Sequence, residues 1–310
     1  MPKKKKNSRK ISKNKINSNQ RYLIKLIINF LFLFLYFFQI FKKYRASSLE
    51  YKYPSEEITL VTTLYQLPTN RHIFTEYFQW IENLLQINRP IIIYIQKNLS
   101  QIIKSKRPKI YENKTIWIEN EFSELYFYNY KKEFEKTYLI DGAKYKHNIH
   151  LFIIWNEKLK FLEKAIKTNY FKSDYFFWID AGYFKEKDMT KFINKWPSIN
   201  KCKEDPRVIM NEIRKIGKEE LEKLMAFDET AHNRFKNDFS IAGNAYGGRA
   251  DYLIKFINYY YDIFNLFMKK EKFIGSDQNI YAIISNLHPE IAKIIHSGDY
   301  QFLKSYYLEK

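Results

Sequence analysis

The chain has 310 residues, of which 45% are hydrophobic and 18% aromatic, enough for a substantial core and too apolar for a disordered chain. Its formal net charge is +19, but residues 1–45 hold thirteen Lys and Arg and no acid, so the other 265 residues carry only +6. With no nucleic-acid-binding motif in the sequence, that distribution argues against a nucleic-acid partner, and the lone Cys202 excludes an internal disulfide framework and a cysteine-based zinc site.

Residues 1–21 are polar and basic, with KKKK at 3–6. Residues 22–41 contain fifteen Leu, Ile or Phe. Twenty residues at about 1.5 Å each span roughly 30 Å, the thickness of a bilayer's hydrocarbon core. The apolar side chains contribute about −5 to −9 kcal/mol to insertion, and Lys25, one turn from the end, can extend toward the headgroups. No small-residue cleavage site follows, so a signal anchor is expected rather than a cleaved signal peptide. More positive charge precedes the span than follows it. The expected topology is therefore that of a single-pass type II membrane protein, with a cytoplasmic tail (1–21), a transmembrane anchor (22–41), a short stem (42–57) and a lumenal or extracytoplasmic domain (58–310). Asn98-Leu-Ser100 and Asn113-Lys-Thr115 have the form of glycosylation acceptors.

Beyond the stem, Ile58–Thr63 reads as a strand and Phe74–Leu85 as a helix with one apolar face. Ile91–Ile95 has the continuous apolar run of a buried parallel strand. A helix is expected over Leu99–Lys104, a strand over Lys114–Ile118, a helix over Trp155–Lys167 and a strand over Tyr175–Ile179. Residues 119–150 show no clear period. A charged helical stretch is expected at about 204–226, then a glycine-rich segment ending at Gly248, a helix from about Arg249 to Lys269, and another after Gly275-Ser276-Asp277-Gln278. Strands alternating with helices predict one α/β domain with a mainly parallel sheet flanked by helices.

Three places stand out for chemistry. Asp180 follows an apolar strand, so it sits at the carboxyl end, where open parallel sheets bind ligands; it suits a hard cation or a ribose, and equally a turn or helix cap. Gly243, Gly247 and Gly248 lie within six residues of a glycine-poor chain, which suits a backbone passing close to a ligand or a plain turn. Asp277 and Gln278 open a helix: Asp277 fits a cap, and Gln278 can bond sugar hydroxyls. His296 lies further on.

The segment Tyr175-Phe-Phe-Trp-Ile-Asp-Ala-Gly182 resembles the HtrL/YibB-like family, proteins linked to bacterial surface-polysaccharide loci and regarded as candidate glycosyltransferases. The resemblance spans most of 58–300 and includes Arg71, Trp155-Asn156-Glu157-Lys158, Ser173-Asp174-Tyr175, Gly243–Gly248 and Ser276-Asp277-Gln278. The layout is similar to GT-A type glycosyltransferases, which implies a GT-A-like, Rossmann-type sheet and a nucleotide-sugar donor such as a UDP-linked one. Their usual Asp-x-Asp motif holds a divalent metal on the diphosphate, and here Gly182 replaces its second acid.

On that resemblance, Thr62 and Thr63 would face the nucleotide, and Asp180 would bind ribose or, with Asp277 or His296, Mn²⁺ or Mg²⁺. Gly243–Gly248 would line the sugar pocket, Asp277 would act as base, and Arg71, Lys158 and Arg249 would neutralise phosphate. The expected activity is transfer of a sugar from a nucleotide sugar to a glycan, glycoprotein or glycolipid acceptor. The alternative is a noncatalytic membrane-anchored protein that keeps the fold to bind glycans or partners.

Overall fold

The β-branched and aromatic runs form seven strands: β1 Ile58–Leu64, β2 Ile91–Gln96, β3 Thr115–Asn120, β4 Tyr175–Ile179, β5 Val208–Glu212, β6 Ile241–Arg249 and β7 Ala292–His296. The structure is a computed structural model that describes residues 56–68, 73–235 and 240–308; the expected tail and membrane span, and Arg71, lie outside these residues. Among the described residues no helix is long and apolar enough to cross a membrane.

The strands make one sheet in the order β3-β2-β1-β4-β6-β5-β7. Pairs β1–β2, β2–β3, β1–β4 and β5–β7 are parallel, whereas β6 runs antiparallel to β4 and β5. The sheet is mainly parallel, as expected, with β6 alone reversed. The helices are α1 Phe74–Leu85, α2 Lys97–Lys104, α3 Lys131–Leu139, α4 Ile149–Thr168, α5 Thr190–Ile193, α6 Ile199–Glu204, α7 Lys218–Met225, α8 Glu229–Phe235, α9 Ala250–Lys269, α10 Asp277–Leu287 and α11 Phe302–Tyr306.

The period-2 alternation of β4 sorts the two cores. Phe176 and Trp178 face a core that includes Phe152, Leu159, Phe161 and Leu162 of α4, with Phe256 of α9 and Ile280 of α10. Tyr175, Phe177 and Ile179 face the other, with Ile81 and Leu84 of α1, Leu99 of α2 and Leu303 of α11. Each fully buried side chain of this size contributes about 1.5–3 kcal/mol.

Three stretches differ from expectation. The charged region 204–226 contains β5, whose five buried residues are masked in sequence by the lysines and acids around them. The glycine-rich segment is strand β6, although glycine disfavours strands, because the neighbouring chains leave no room for side chains. A Cβ on Gly247 would lie 2.3 Å from the Phe177 ring, and one on Gly248 2.7 Å from Arg207 O. Helix α4 begins at Ile149, six residues before the expected start, where Asn148 accepts a hydrogen bond from Leu151 N at 2.9 Å.

Along the chain, the strands run outward from β1 to β2 and β3 and then return through α4 to β4 on β1's other side. The carboxyl ends of β1 and β4 therefore flank the point at which strand order reverses, the place where open α/β sheets form a ligand crevice.

Candidate functional site

The phase of β4 is set by the turn that enters it. Helix α4 stops at Asn169, which takes a left-handed conformation that asparagine tolerates (φ 39°). Asn169 Oδ1 accepts from Ser173 N at 2.8 Å and its Nδ2 donates to Ser173 O at 3.0 Å, while the Ser173 hydroxyl lies 2.7 Å from Thr59 Oγ1. With that register fixed, Trp178 and Asp180 project from the same face, toward α4. Trp178 Nε1 donates to Asp180 Oδ1 at 2.7 Å.

From α4, Lys158 reaches the same point. Its Nζ donates to Gly243 O at 2.9 Å and lies 3.2 Å from Asp180 Oδ1 and 3.3 Å from Asp277 Oδ2. Asp277 stands in the first turn of α10, where the helix dipole favours a carboxylate, and its Oδ1 accepts from Gln278 N at 2.9 Å. Gly243 allows this convergence: a Cβ there would lie 2.8 Å from Gln278 Cγ, and Gln278 is pinned by its own hydrogen bond to Ile241 O at 2.7 Å.

The three charged side chains are not equivalent. Lys158 and Asp277 are 5% and 1% exposed, whereas Asp180 is 35% exposed. Burial works against the Lys158 ammonium, but Asp180 and Asp277 outweigh it and raise the lysine's pKa. Burial pushes the Asp277 carboxyl up to about 6, Lys158 opposing the rise and Asp180 adding to it. Asp180 has Oδ1 tied to Trp178 and Lys158, and its side chain borders a cleft of about 490 Å³.

That cleft opens at the carboxyl ends of β1 and β4. Thr63 and Tyr65 form one side, and Phe74, Trp80 and Trp155 supply aromatic wall. Tyr65 Oη is buried with no hydrogen-bond partner among the described residues. Lys185 also borders the cleft, its Nζ 3.9 Å above the Trp80 ring, and no carboxylate among the described residues pairs with it.

The Trp155–Lys158 run is fully committed. Trp155 lines the cleft; Asn156 Nδ2 donates to Phe152 O and Ile274 O, and its Oδ1 accepts from Tyr260 Oη. The Glu157 carboxylate accepts from Tyr126 N and Phe127 N at 3.1 and 2.8 Å, and burial, partly offset by those amides, pushes its pKa up to about 7.

Of the residues singled out in the sequence, Thr63, Lys158, Asp180, Gly243, Asp277 and Gln278 converge here. The others do not. Thr62 is buried within β1, off the cleft wall. Gly247 and Gly248 pack against Phe177 and Arg207 inside the sheet rather than lining a sugar pocket. Arg249 pairs with Asp251 and stands opposite Tyr175, at the amino end of β4, about 17 Å along that strand from Asp180.

His296 ends β7, three strand spacings or about 14 Å from β4. It is 60% exposed, with its Nδ1 3.3 Å from Glu212 Oε2. The expected metal set of Asp180, Asp277 and His296 is therefore not assembled. The point between the two carboxylates is taken by an ammonium, and among the described residues no group of three His, Cys, Asp or Glu is placed to hold a metal ion.

Trp178 belongs to the segment that carries the family resemblance but had no role assigned to it, and Tyr65, Trp80 and Lys185 were not among the expected site residues. Trp178 was accessible, because residues two apart on a strand share a face. Lys185 and Trp80 meet only through the fold.

Comparison with known proteins places this geometry in context. The family model described as "Bacterial protein of unknown function (HtrL_YibB)" matches residues 56–306. Among solved structures, the chain is similar to core-mannan synthase A from Aspergillus fumigatus in its Mn/GDP form, at 10% identity and a TM-score of 0.44, covering 77% of this chain and 73% of that one. It is also similar to 4-diphosphocytidyl-2C-methyl-D-erythritol synthase from Anaerococcus prevotii, at 11% identity and a TM-score of 0.34, covering 78% and 89%. Likenesses of this strength carry no information about chemistry. No curated protein matches the chain.

Proposed function

The chain belongs to the HtrL_YibB family, whose description leaves its function open, so the activity must be read from the cleft, and we propose that it is glycosyl transfer from a nucleotide-sugar donor. One observation carries the proposal: Asp180, at the point of strand-order reversal, has Oδ1 fixed by Trp178 and Lys158 and borders an aromatic-walled cleft. A carboxylate held in one orientation beside a cleft is suited to accept a proton from, or hydrogen-bond, a hydroxyl. A volume of about 490 Å³ is in the usual range for small-molecule sites.

In this account the nucleotide lies against Thr63 and Tyr65, whose hydroxyl offers an unused hydrogen bond. Lys185, open to the cleft, neutralises charge building on the departing diphosphate. Asp180 takes the role of base in preference to Asp277, whose Oδ1 and Oδ2 face the Gln278 amide and Lys158. The acceptor is a glycan, glycoprotein or glycolipid. The basic residues 1–21 and the apolar residues 22–41 anchor the domain beside membrane-borne or secreted acceptors as a single-pass type II protein.

Calorimetry of the full chain against a panel of nucleotide sugars tests this reading. Binding of at least one member, weakened by Tyr65→Phe and by Lys185→Ala, is expected. Binding of none would sink it. Binding of free glycans but of no nucleotide sugar would instead favour the noncatalytic alternative.

A further inference from the structure

Two carboxylates and a backbone carbonyl converging on one point are the donor set of a hard cation. Here that point holds Lys158 Nζ, 2.9 Å from Gly243 O and 3.2 and 3.3 Å from Asp180 and Asp277. The ammonium occupies the space in which a hard divalent metal would have to lie about 2.0–2.6 Å from these oxygens. The ammonium donates a hydrogen bond to Gly243 O and pairs by charge with the two carboxylates, while Asp277 Oδ2 is buried with no hydrogen bond among the described residues.

The helix that carries the ammonium is held in place. Asn156 and Glu157, just before it on α4, are tied to Ile274 O, Tyr260 and the amides of Tyr126 and Phe127. The bare Gly243 keeps β6 close enough for its carbonyl to complete the set.

We propose that Lys158 is the permanent cation of this site and that binding and chemistry in the cleft require no divalent metal. The proposal deepens the glycosyl-transfer reading and takes its catalytic meaning from it. Lys158 is then a positioning residue: with Trp178 it fixes one oxygen of Asp180, as a metal would elsewhere.

Mn²⁺ alone is the probe, titrated into the full chain and followed by loss of the free-ion EPR signal and by thermal melting with and without EDTA. The wild type is expected to take up no stoichiometric Mn²⁺ and to melt at the same temperature in either condition. Lys158→Met leaves the oxygens without their cation. It is expected to bind one Mn²⁺ and to melt higher with Mn²⁺ than with EDTA, whereas Lys158→Arg, which keeps the charge, binds none.

One Mn²⁺ bound by the wild type and lost in Asp180→Asn would overturn the proposal, leaving glycosyl transfer intact as a metal-dependent reaction. A folded Lys158→Met chain that takes up no Mn²⁺ would overturn it too. If Lys158→Met does not fold, the wild-type titration decides. Failure to bind any nucleotide sugar, with or without metal, counts against the glycosyl-transfer reading and leaves the Mn²⁺ result standing.

Discussion

Replacing Lys158 with methionine keeps an unbranched side chain, one atom shorter, and removes its charge. Two carboxylates then face each other without a cation, one of them on a side chain only 1% exposed. Removing one partner of a buried ion pair costs about 3–5 kcal/mol, because the remaining charge is left uncompensated. In a domain of this size that corresponds to a fall in Tm of about 6–20 °C. The cost resides in the orphaned charge, so it should shrink when that charge is also removed. Asp277→Asn alone costs about 1–3 kcal/mol, by weakening the bonds around Lys158. The double variant Lys158→Met/Asp277→Asn should be less destabilised than the sum of the two, by about 1–3 kcal/mol. Urea unfolding of the four chains, full length, measures this. Additivity within about 0.5 kcal/mol would show that the two side chains do not interact, and would refute the placement of Lys158 between the carboxylates.

Other outcomes follow from the same geometry. Burial raises the Glu157 pKa from the ordinary glutamate value of 4.5 to about 7, so the folded state keeps a proton that the unfolded chain loses; the stability it contributes is complete below pH 4.5 and lost as pH rises through 7. That loss amounts to about 3 kcal/mol, and the difference in urea midpoint between pH 5 and pH 8 should be smaller in Glu157→Gln than in the wild type. Gly243→Val places a Cβ 2.8 Å from Gln278 Cγ; calorimetric melting should show a loss of about 1–3 kcal/mol, with ligand binding impaired as well. Arg249→Ala, at the end of the strands away from the cleft, should leave nucleotide-sugar binding unchanged, and a marked loss would mean that the site extends beyond the cleft described.

Much of the first half of the fold was legible because its elements obey local rules. The apolar runs at Ile91–Ile95 and Tyr175–Ile179 have no helical alternative of that length, and α1 shows its apolar face plainly. The second half was harder because tertiary context overrides propensity there. β6 is a strand in spite of its three glycines, since Phe177, Arg207 and Gln278 exclude side chains at those positions. β5 and β7 are five residues each, with charged or half-exposed residues in or around them.

The site was legible in its parts but not in its arrangement. Asp180, Asp277 and Lys158 stand out as charged residues beside apolar elements, yet Asp180 and Asp277 lie 97 positions apart in the chain. Nothing local reveals that a lysine lies between them. His296 and Arg249 carried suitable chemistry in the sequence, and the fold sends them to other places, beside Glu212 and Asp251.

Turnover of nucleotide sugars by the full chain, followed as release of the nucleoside diphosphate and compared with Asp180→Asn, tests the central claim most directly. Removing a catalytic base costs about 10²–10⁴-fold in rate, so release by the wild type that falls to this extent in Asp180→Asn is the expected result. Release that persists undiminished in Asp180→Asn would contradict the account.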